Sequence, residues 1–483
     1  MPHKVDVVVI GAGVVGLAVA REFAIRDMSV LVLEKDEHIV SGASSGNSGI
    51  GCTGYDAPPD SLERKLLRRS ILRHPNLYRS LGLSYDHIRK CGALVVAWNH
   101  KELKQLPKIL QENIDAGDTE SILLGKNELL ELEPSLNKDA LGAVYANREM
   151  VTEPWLVPIA YAHSARLHGA EILVSKEVVS ADFDAEQRLW ALKSKSNEIY
   201  YAKHVINCAG IYGDKVHDEL IRNKDKNGSD TTNVEFFEIY PRKGQFVVFE
   251  KADDAFAVDG KTCDQSSNSS NDHDWGKTSE NCTLPSIVIQ PVPSQYTKGV
   301  IVWKSVYGNV IVGPTAEEQA SRTDRSNDEE TLSMLVDHAR KCIPATKKLK
   351  PIGSYSGIRT ATQYRDYQIY SFPKLNWITV GGIRSTGLTA APGIAEYVFC
   401  LYDAQDGQRE DKICYDKATL PPFLPSLPLC PKPKYNNPAI PSLAKICRDY
   451  NQRKDGTVEL FGQLWKVTHP LSAYGMKSSG HCT

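Results

Sequence analysis

The chain opens on an apolar run, Val5 to Ile10, that stops abruptly at Gly11-Ala12-Gly13-Val14-Val15-Gly16. A stretch with helical character follows, and a second apolar run, Val30 to Leu33, ends on Glu34. Strand, glycine turn, helix and strand in that order make the βαβ unit that binds a dinucleotide. Gly11 permits the tight turn. Gly13 lets backbone N–H groups approach a pyrophosphate at the helix N-terminus, and Gly16 lets helix and strand pack closely. Glu34, followed by Lys35, stands where a carboxylate accepts hydrogen bonds from ribose hydroxyls.

Farther on, SGASSGNSGIGCTGYD (Ser41 to Asp56) reads as a loop of small and hydroxylated residues able to lie against a diphosphate and a flat ring. HVINCAGIYGD (His204 to Asp214) reads as a buried strand ending in a tight turn near the nucleotide. WITVGGIRSTGLTAAPGIAEYVFCLY (Trp377 to Tyr402) predicts a strand, a glycine pair and a helix whose positive end, near Thr386-Gly387-Leu388, aims at a bound group. VEFFEIYPRKGQFVVFEK and KGVIVWKSVYGNVIVGP predict antiparallel strands, whereas LPKILQENIDAG and KNELLELEPSL are helical in pattern. The run ERKLLRRSILR (Glu63 to Arg73) also has helical spacing and reads as a solvated basic face.

Composition narrows the possibilities. With 57 basic and 59 acidic residues, nothing suggests nucleic acid. No apolar run approaches the roughly 20 residues a transmembrane helix needs. A first strand at Val5 leaves no room for a leader, and the C-terminus lacks the peroxisomal signal, so the cytoplasm is the expected location. Eleven cysteines without a CxxC pair argue against metal and iron–sulfur sites. Sequons at Asn227, Asn268 and Asn281 carry no weight without secretion.

Asn47-Ser48-Gly49, Pro241-Arg242-Lys243-Gly244-Gln245, Gln290-Pro291-Val292-Pro293, Gly308 to Thr315 and Gly382-Ile383-Arg384-Ser385-Thr386-Gly387-Leu388 carry a resemblance. From about Val5 to Tyr402 the chain is similar to the D-amino-acid-oxidase-like (DAO) superfamily of FAD-dependent oxidoreductases. Within it the chain most resembles the branch of L-2-hydroxyglutarate dehydrogenase and FAD-dependent glycerol-3-phosphate dehydrogenase. The resemblance implies an α/β fold: a Rossmann-like FAD-binding domain (1–88, 148–215 and 353–405) interleaved with a β-rich antiparallel substrate domain (89–147 and 216–352). A Ser/Asn/Asp-rich flexible insertion is expected over 254–286, and a Pro-rich linker and tail over 406–483.

FAD is the implied cofactor. Its implied contacts are Gly11, Gly13, Val14, Val15 and Gly16, then Glu34 and Lys35, then Ser45, Asn47, Ser48 and Gly49. Ala209, Gly210, Gly382, Arg384, Ser385, Thr386, Gly387 and Leu388 complete them. The implied reaction moves hydride from a small anionic alcohol, a 2-hydroxy acid or glycerol 3-phosphate, to the flavin. The electron acceptor could be a quinone, an electron carrier or oxygen.

Relatives resemble Asn-Ser-Gly-x-x-His, with the histidine as a base, but here that position holds Cys52. A thiolate could serve as a base, or Cys52 could merely pack beneath the flavin, with Tyr55, Tyr240, Lys243 or a histidine brought in by the fold replacing it. Arg359, in Ser356-Gly357-Ile358-Arg359, resembles arginines that hold a substrate carboxylate. Arg242 and Lys243 could also face an anion. An amino-acid oxidase and a catalytically silent flavoprotein are the competing readings.

Overall fold

The strand Lys4–Ile10 lies at the centre of an eight-stranded sheet, parallel to Val30–Leu33 on one side and Ile199–Asn207 on the other. Glu171–Leu173 and Trp377–Gly381 extend the parallel layer outward. The chain is described from a computed structural model over residues 4–226, 237–251, 284–293, 299–406 and 439–478. Val7, Val8 and Val9 are all fully buried because both faces of this sheet are covered, which explains an apolar run with no alternation. Helix Val14–Ala24 covers one face, between helices Leu156–Leu167 and Gly387–Asp406. Trp190 and Trp377 fill the other, their rings 4.8 Å apart.

The second sheet has nine strands and is antiparallel except where Ala93–Ala97 runs parallel to Val288–Pro291. Its longest strand, Ile239–Lys251, pairs with Pro351–Thr362 from Ile239↔Thr362 to Phe249↔Pro351. The strand Pro351–Thr362 belongs to the second sheet, and the chain returns to the first only at Gln368–Phe372.

One expectation changes. The helix Leu62–Ile71 is no solvated face. Leu62, Leu66 and Leu67 turn inward, and Arg69 makes a two-pronged bond to Glu396 of helix Gly387–Asp406 at 2.8 and 3.0 Å. Arg64 donates to the Ala57 and Glu112 carbonyls and to Asn113. Hydrogen-bonded guanidinium groups are buried here, and periodicity alone cannot register that. Within the linker and tail expected over 406–483, the described residues 439–478 are folded. Helices Leu443–Arg453 and Pro470–Ser478 and the hairpin Thr457–Leu460/Gln463–Lys466 bury Leu443, Ile446, Val458, Trp465, Leu471 and Met476 in the main core. Finally, most of the 254–286 insertion and all three sequons lie outside the described residues, but Leu284 is buried and Ser286 donates to Glu133 from both N and Oγ at 2.8 Å.

Candidate functional site

A cavity of about 630 Å³ lies along the carboxyl ends of the parallel strands. Its floor is backbone. Gly13 caps helix Val14–Ala24 at the cavity, and Gly11, Val14, Val15 and Gly16 line it. A Cβ on Gly11 would stand 2.5 Å from the Cys208 carbonyl oxygen, and one on Gly16 would stand 2.0 Å from that of Gly11. Any side chain here would push the turn apart.

Glu34 and Lys35 line one end. The Glu34 carboxylate accepts from Ala12 N at 2.7 Å and Asp36 N at 3.0 Å; burial pushes its pKa up and those N–H groups oppose the rise. Ala209 and Gly210 line the wall, as do Ser385, Gly387 and Leu388 at the N-terminus of the second inward-pointing helix. Two helix N-termini, a backbone floor and one carboxylate suit a long dianionic cofactor with a flat ring, so these residues fit FAD.

The loop 41–49 is locked over this floor. Ser44 Oγ accepts from Val14 N at 3.0 Å, and Asn47 ties Gly49 N (2.7 Å) to the Ser44 carbonyl (2.7 Å). Arg325 clamps Ser45 Oγ at 2.5 Å and bonds to the Gly42 carbonyl. Gly46 and Gly357 touch where loop and strand cross, a Cβ on Gly357 falling 2.3 Å from the Gly46 oxygen. Behind them the buried His469, from the folded C-terminal segment, donates Nε2–H to the Asn47 carbonyl at 2.9 Å. Burial pulls its pKa down to about 3, so the ring is neutral. Asn47 and Ser48 line the cavity. Ser45, Gly49, Gly382 and Thr386 do not; they shape the turns behind it.

A smaller space of about 130 Å³ adjoins this cavity and shares Ser48, Pro314, Arg359, Arg384 and Ser385 with it. Four guanidinium groups line the chamber, from Arg242, Arg359, Arg365 and Arg384. Asp56 and Glu63 line it too, and Arg242 is paired with Glu318 at 2.8 Å. Arg242 and Arg359 are directly opposed across the strand pair and so share a sheet face. Arg359 Nη2 donates to the Thr315 carbonyl at 2.9 Å, while its Nη1 is shut away from solvent without a hydrogen-bond partner. Burial first, then the neighbouring charges of Arg242 and Arg384, pull the Arg359 pKa down to about 10. Arg384 adopts φ +51°, held by Thr360 Oγ1 on its N–H and by its own bond to the Arg365 carbonyl. A non-glycine residue in this region is strained, and here the strain turns a cation toward both spaces.

Cys52 lines the chamber. Its N–H donates to Thr389 Oγ1 at 3.1 Å and its Sγ lies 3.8 Å from the same oxygen. Tyr55 is buried and bonded to Gln290 at 2.6 Å, and Gln290 in turn donates to Glu149. No histidine is among the described residues lining the chamber. Two expected residues are elsewhere. Tyr240 is 48% exposed and donates to Glu238, and Lys243 pairs with Ile358 on the face opposite Arg242 and Arg359. Alternation along the strand turns Lys243 away from the site, and Tyr240, on the face of Arg242, lies out at the exposed strand end. Sequence reasoning missed Glu63, Arg365, Tyr367 and His469. Arg365 stands near Tyr367 in an unremarkable polar stretch, and Glu63 sat inside the presumed solvated helix.

Among the described residues no helix is long and apolar enough to cross a membrane, and no group of three or more His, Cys, Asp or Glu could hold a metal ion. Comparison with known proteins bears directly on the cavity. A glycerol 3-phosphate dehydrogenase of Caloramator mitchellensis is 32% identical over 395 residues, 81% of this chain and 72% of that protein. A mitochondrial L-2-hydroxyglutarate dehydrogenase of Pongo abelii is 26% identical over 222 residues, 44% of this chain and 52% of that protein. Dithionite-reduced L-alpha-glycerophosphate oxidase from Mycoplasma pneumoniae, solved with FAD bound, superposes with a TM-score of 0.68 at 24% identity, covering 83% of this chain and 95% of that one. The family described as DAO, FAD dependent oxidoreductase, matches residues 6–401, and the chain belongs to it.

Proposed function

We propose that the protein oxidises the secondary alcohol of a small phosphomonoester, glycerol 3-phosphate, within the CH–OH-oxidising, FAD-dependent class to which its relatives belong. The observation that carries this reading is the arginine-lined chamber opening onto the FAD cavity. A compact anion suits a chamber lined by four arginines and two carboxylates. The partnerless Nη1 of Arg359 is a donor waiting for an anionic oxygen. The exposed Arg365 extends the positive field outward, which steers anions inward. Bound FAD supplies the two-electron acceptor. The chain's own residues hold the phosphate at Arg359, fix the carbinol against Ser48 and Ser385, and take up the hydroxyl proton. The stronger and longer likeness to the glycerol 3-phosphate dehydrogenase favours this substrate over L-2-hydroxyglutarate.

Anaerobic mixing tests the proposal. Glycerol 3-phosphate should bleach the flavin absorbance at concentrations where L-2-hydroxyglutarate, lactate, glycine and D-amino acids leave it unchanged. Bleaching by L-2-hydroxyglutarate or an amino acid, and not by glycerol 3-phosphate, overturns it.

A further inference from the structure

With Cys52 in place of the family's histidine, the chamber needs another group to receive the hydroxyl proton, and its architecture supplies one. Glu63 is buried and lines the chamber. It is held at both ends. Its backbone N–H and that of Leu62 donate to the Asp366 carboxylate, both at 2.9 Å, which caps the helix. Its Oε1 accepts from Thr386 Oγ1 at 2.6 Å. Since the Thr386 proton goes to Glu63, the Tyr367 hydroxyl, 2.7 Å from Thr386 Oγ1, must donate to Thr386. The chain Tyr367→Thr386→Glu63 therefore points every proton at the carboxylate and favours its ionised form. Thr389, one turn along from Thr386, anchors Cys52. The residue before helix Gly387–Asp406 and its first turn thus bond Glu63 and Cys52 in turn, and both line the same chamber.

We infer that Glu63 is the catalytic base. This rests on the alcohol-oxidising reading above. The substrate O–H bond breaks and its proton passes to a Glu63 oxygen, giving a neutral carboxylic acid. The C–H bond breaks with its electron pair, which leaves as hydride for the FAD, and the C=O bond forms. Asp56, the chamber's other carboxylate, is less buried than Glu63 and lies in a loop outside the hydrogen-bonded chain from Tyr367.

The test uses the FAD-loaded enzyme. Glu63→Gln keeps an oxygen for Thr386 and removes only the basicity. Glycerol 3-phosphate should reduce its flavin on the order of 100-fold or more slowly, with the rate no longer rising with pH and with substrate binding within about threefold of wild type. Glu63→Asp should fall between the two and keep the pH-dependent rise. A second readout needs no turnover. A ketone oxygen can only accept a hydrogen bond, so binding the ketone product, dihydroxyacetone phosphate, should draw a proton onto Glu63. Calorimetry in buffers of different ionisation heat should detect that uptake in wild type and not in Glu63→Gln. Equal proton uptake in the two, or a wild-type reduction rate in Glu63→Gln, overturns the assignment. So does a comparable rate loss in Asp56→Asn alone. If no alcohol reduces the wild-type flavin, the functional reading fails instead.

Discussion

Replacing Arg359 by methionine should weaken substrate binding and at the same time fail to weaken the protein. The charge sits among Arg242 and Arg384 with one nitrogen unpartnered. A pKa drawn from 12.5 down to about 10 means the folded protein at neutral pH holds that charge against a penalty of about 2–3 kcal/mol, after allowance for screening through the chamber. Methionine preserves most of the apolar stem and removes the charge. It forfeits the bond to the Thr315 carbonyl, about 1 kcal/mol. The ligand-free, FAD-loaded protein should therefore gain about 1–2 kcal/mol, visible as a thermal midpoint that holds or rises by on the order of one to two degrees. Binding of glycerol 3-phosphate should lose about 2–4 kcal/mol, roughly 30- to 1,000-fold in Kd, because a desolvated anion loses its fixed partner. Thermal denaturation and equilibrium titration of the same preparation measure both. A midpoint several degrees lower with unchanged binding would make Arg359 a structural bridge between its strand and Thr315 and refute the reasoning.

Other residues make separate claims. Cys52→Ser should change the flavin reduction rate less than about threefold in stopped-flow mixing, since the Cys52 N–H that meets Thr389 is backbone; a loss of several orders of magnitude would make the thiol catalytic. Gly357→Ala should purify with little FAD, because its methyl would fall 2.3 Å from the Gly46 oxygen and displace the cofactor loop; the ratio of flavin to protein absorbance measures this. His74 and His469 are buried, with pKa values pulled by burial down to about 4 and about 3. The unfolded chain therefore binds protons that the folded chain refuses. Their contribution is complete above pH 6.5 and falls as pH drops, by about 2 kcal/mol each at pH 5. Denaturant melts at pH 7 and 5 should show that loss, and it should shrink in His74→Gln and His469→Gln.

How much of this was legible depends on how local each feature is. The first turn, Gly11–Gly16, declares itself because strand, glycines and helix are adjacent in sequence, and Gly16 answers to the Gly11 carbonyl within the same unit. Arg359 and Arg384 were readable from short motifs for the same reason. The chamber was not readable as a whole. Its arginines come from positions 242, 359, 365 and 384, and only the pairing of Ile239–Lys251 with Pro351–Thr362 puts Arg242 beside Arg359 and turns Lys243 away. Glu63 was hidden by a charge pattern that is ordinary for a wet helix; the groups that hold it, Asp366 and Thr386, lie some three hundred positions away. The C-terminal segment follows a Pro-rich stretch, which suggested a tail, yet Leu443, Ile446 and Tyr450 repeat at helical spacing and reach the main core.

A crystal structure of the FAD-loaded protein with dihydroxyacetone phosphate tests most directly the proposal that the arginine chamber beside the cofactor cavity is the substrate site. The phosphate should lie within hydrogen-bond distance of Arg359 Nη1, with the ketone oxygen at Glu63 and the ketone carbon against the flavin. A phosphate bound outside the chamber, or one inside it with the ketone carbon turned away from the cofactor, would contradict the account.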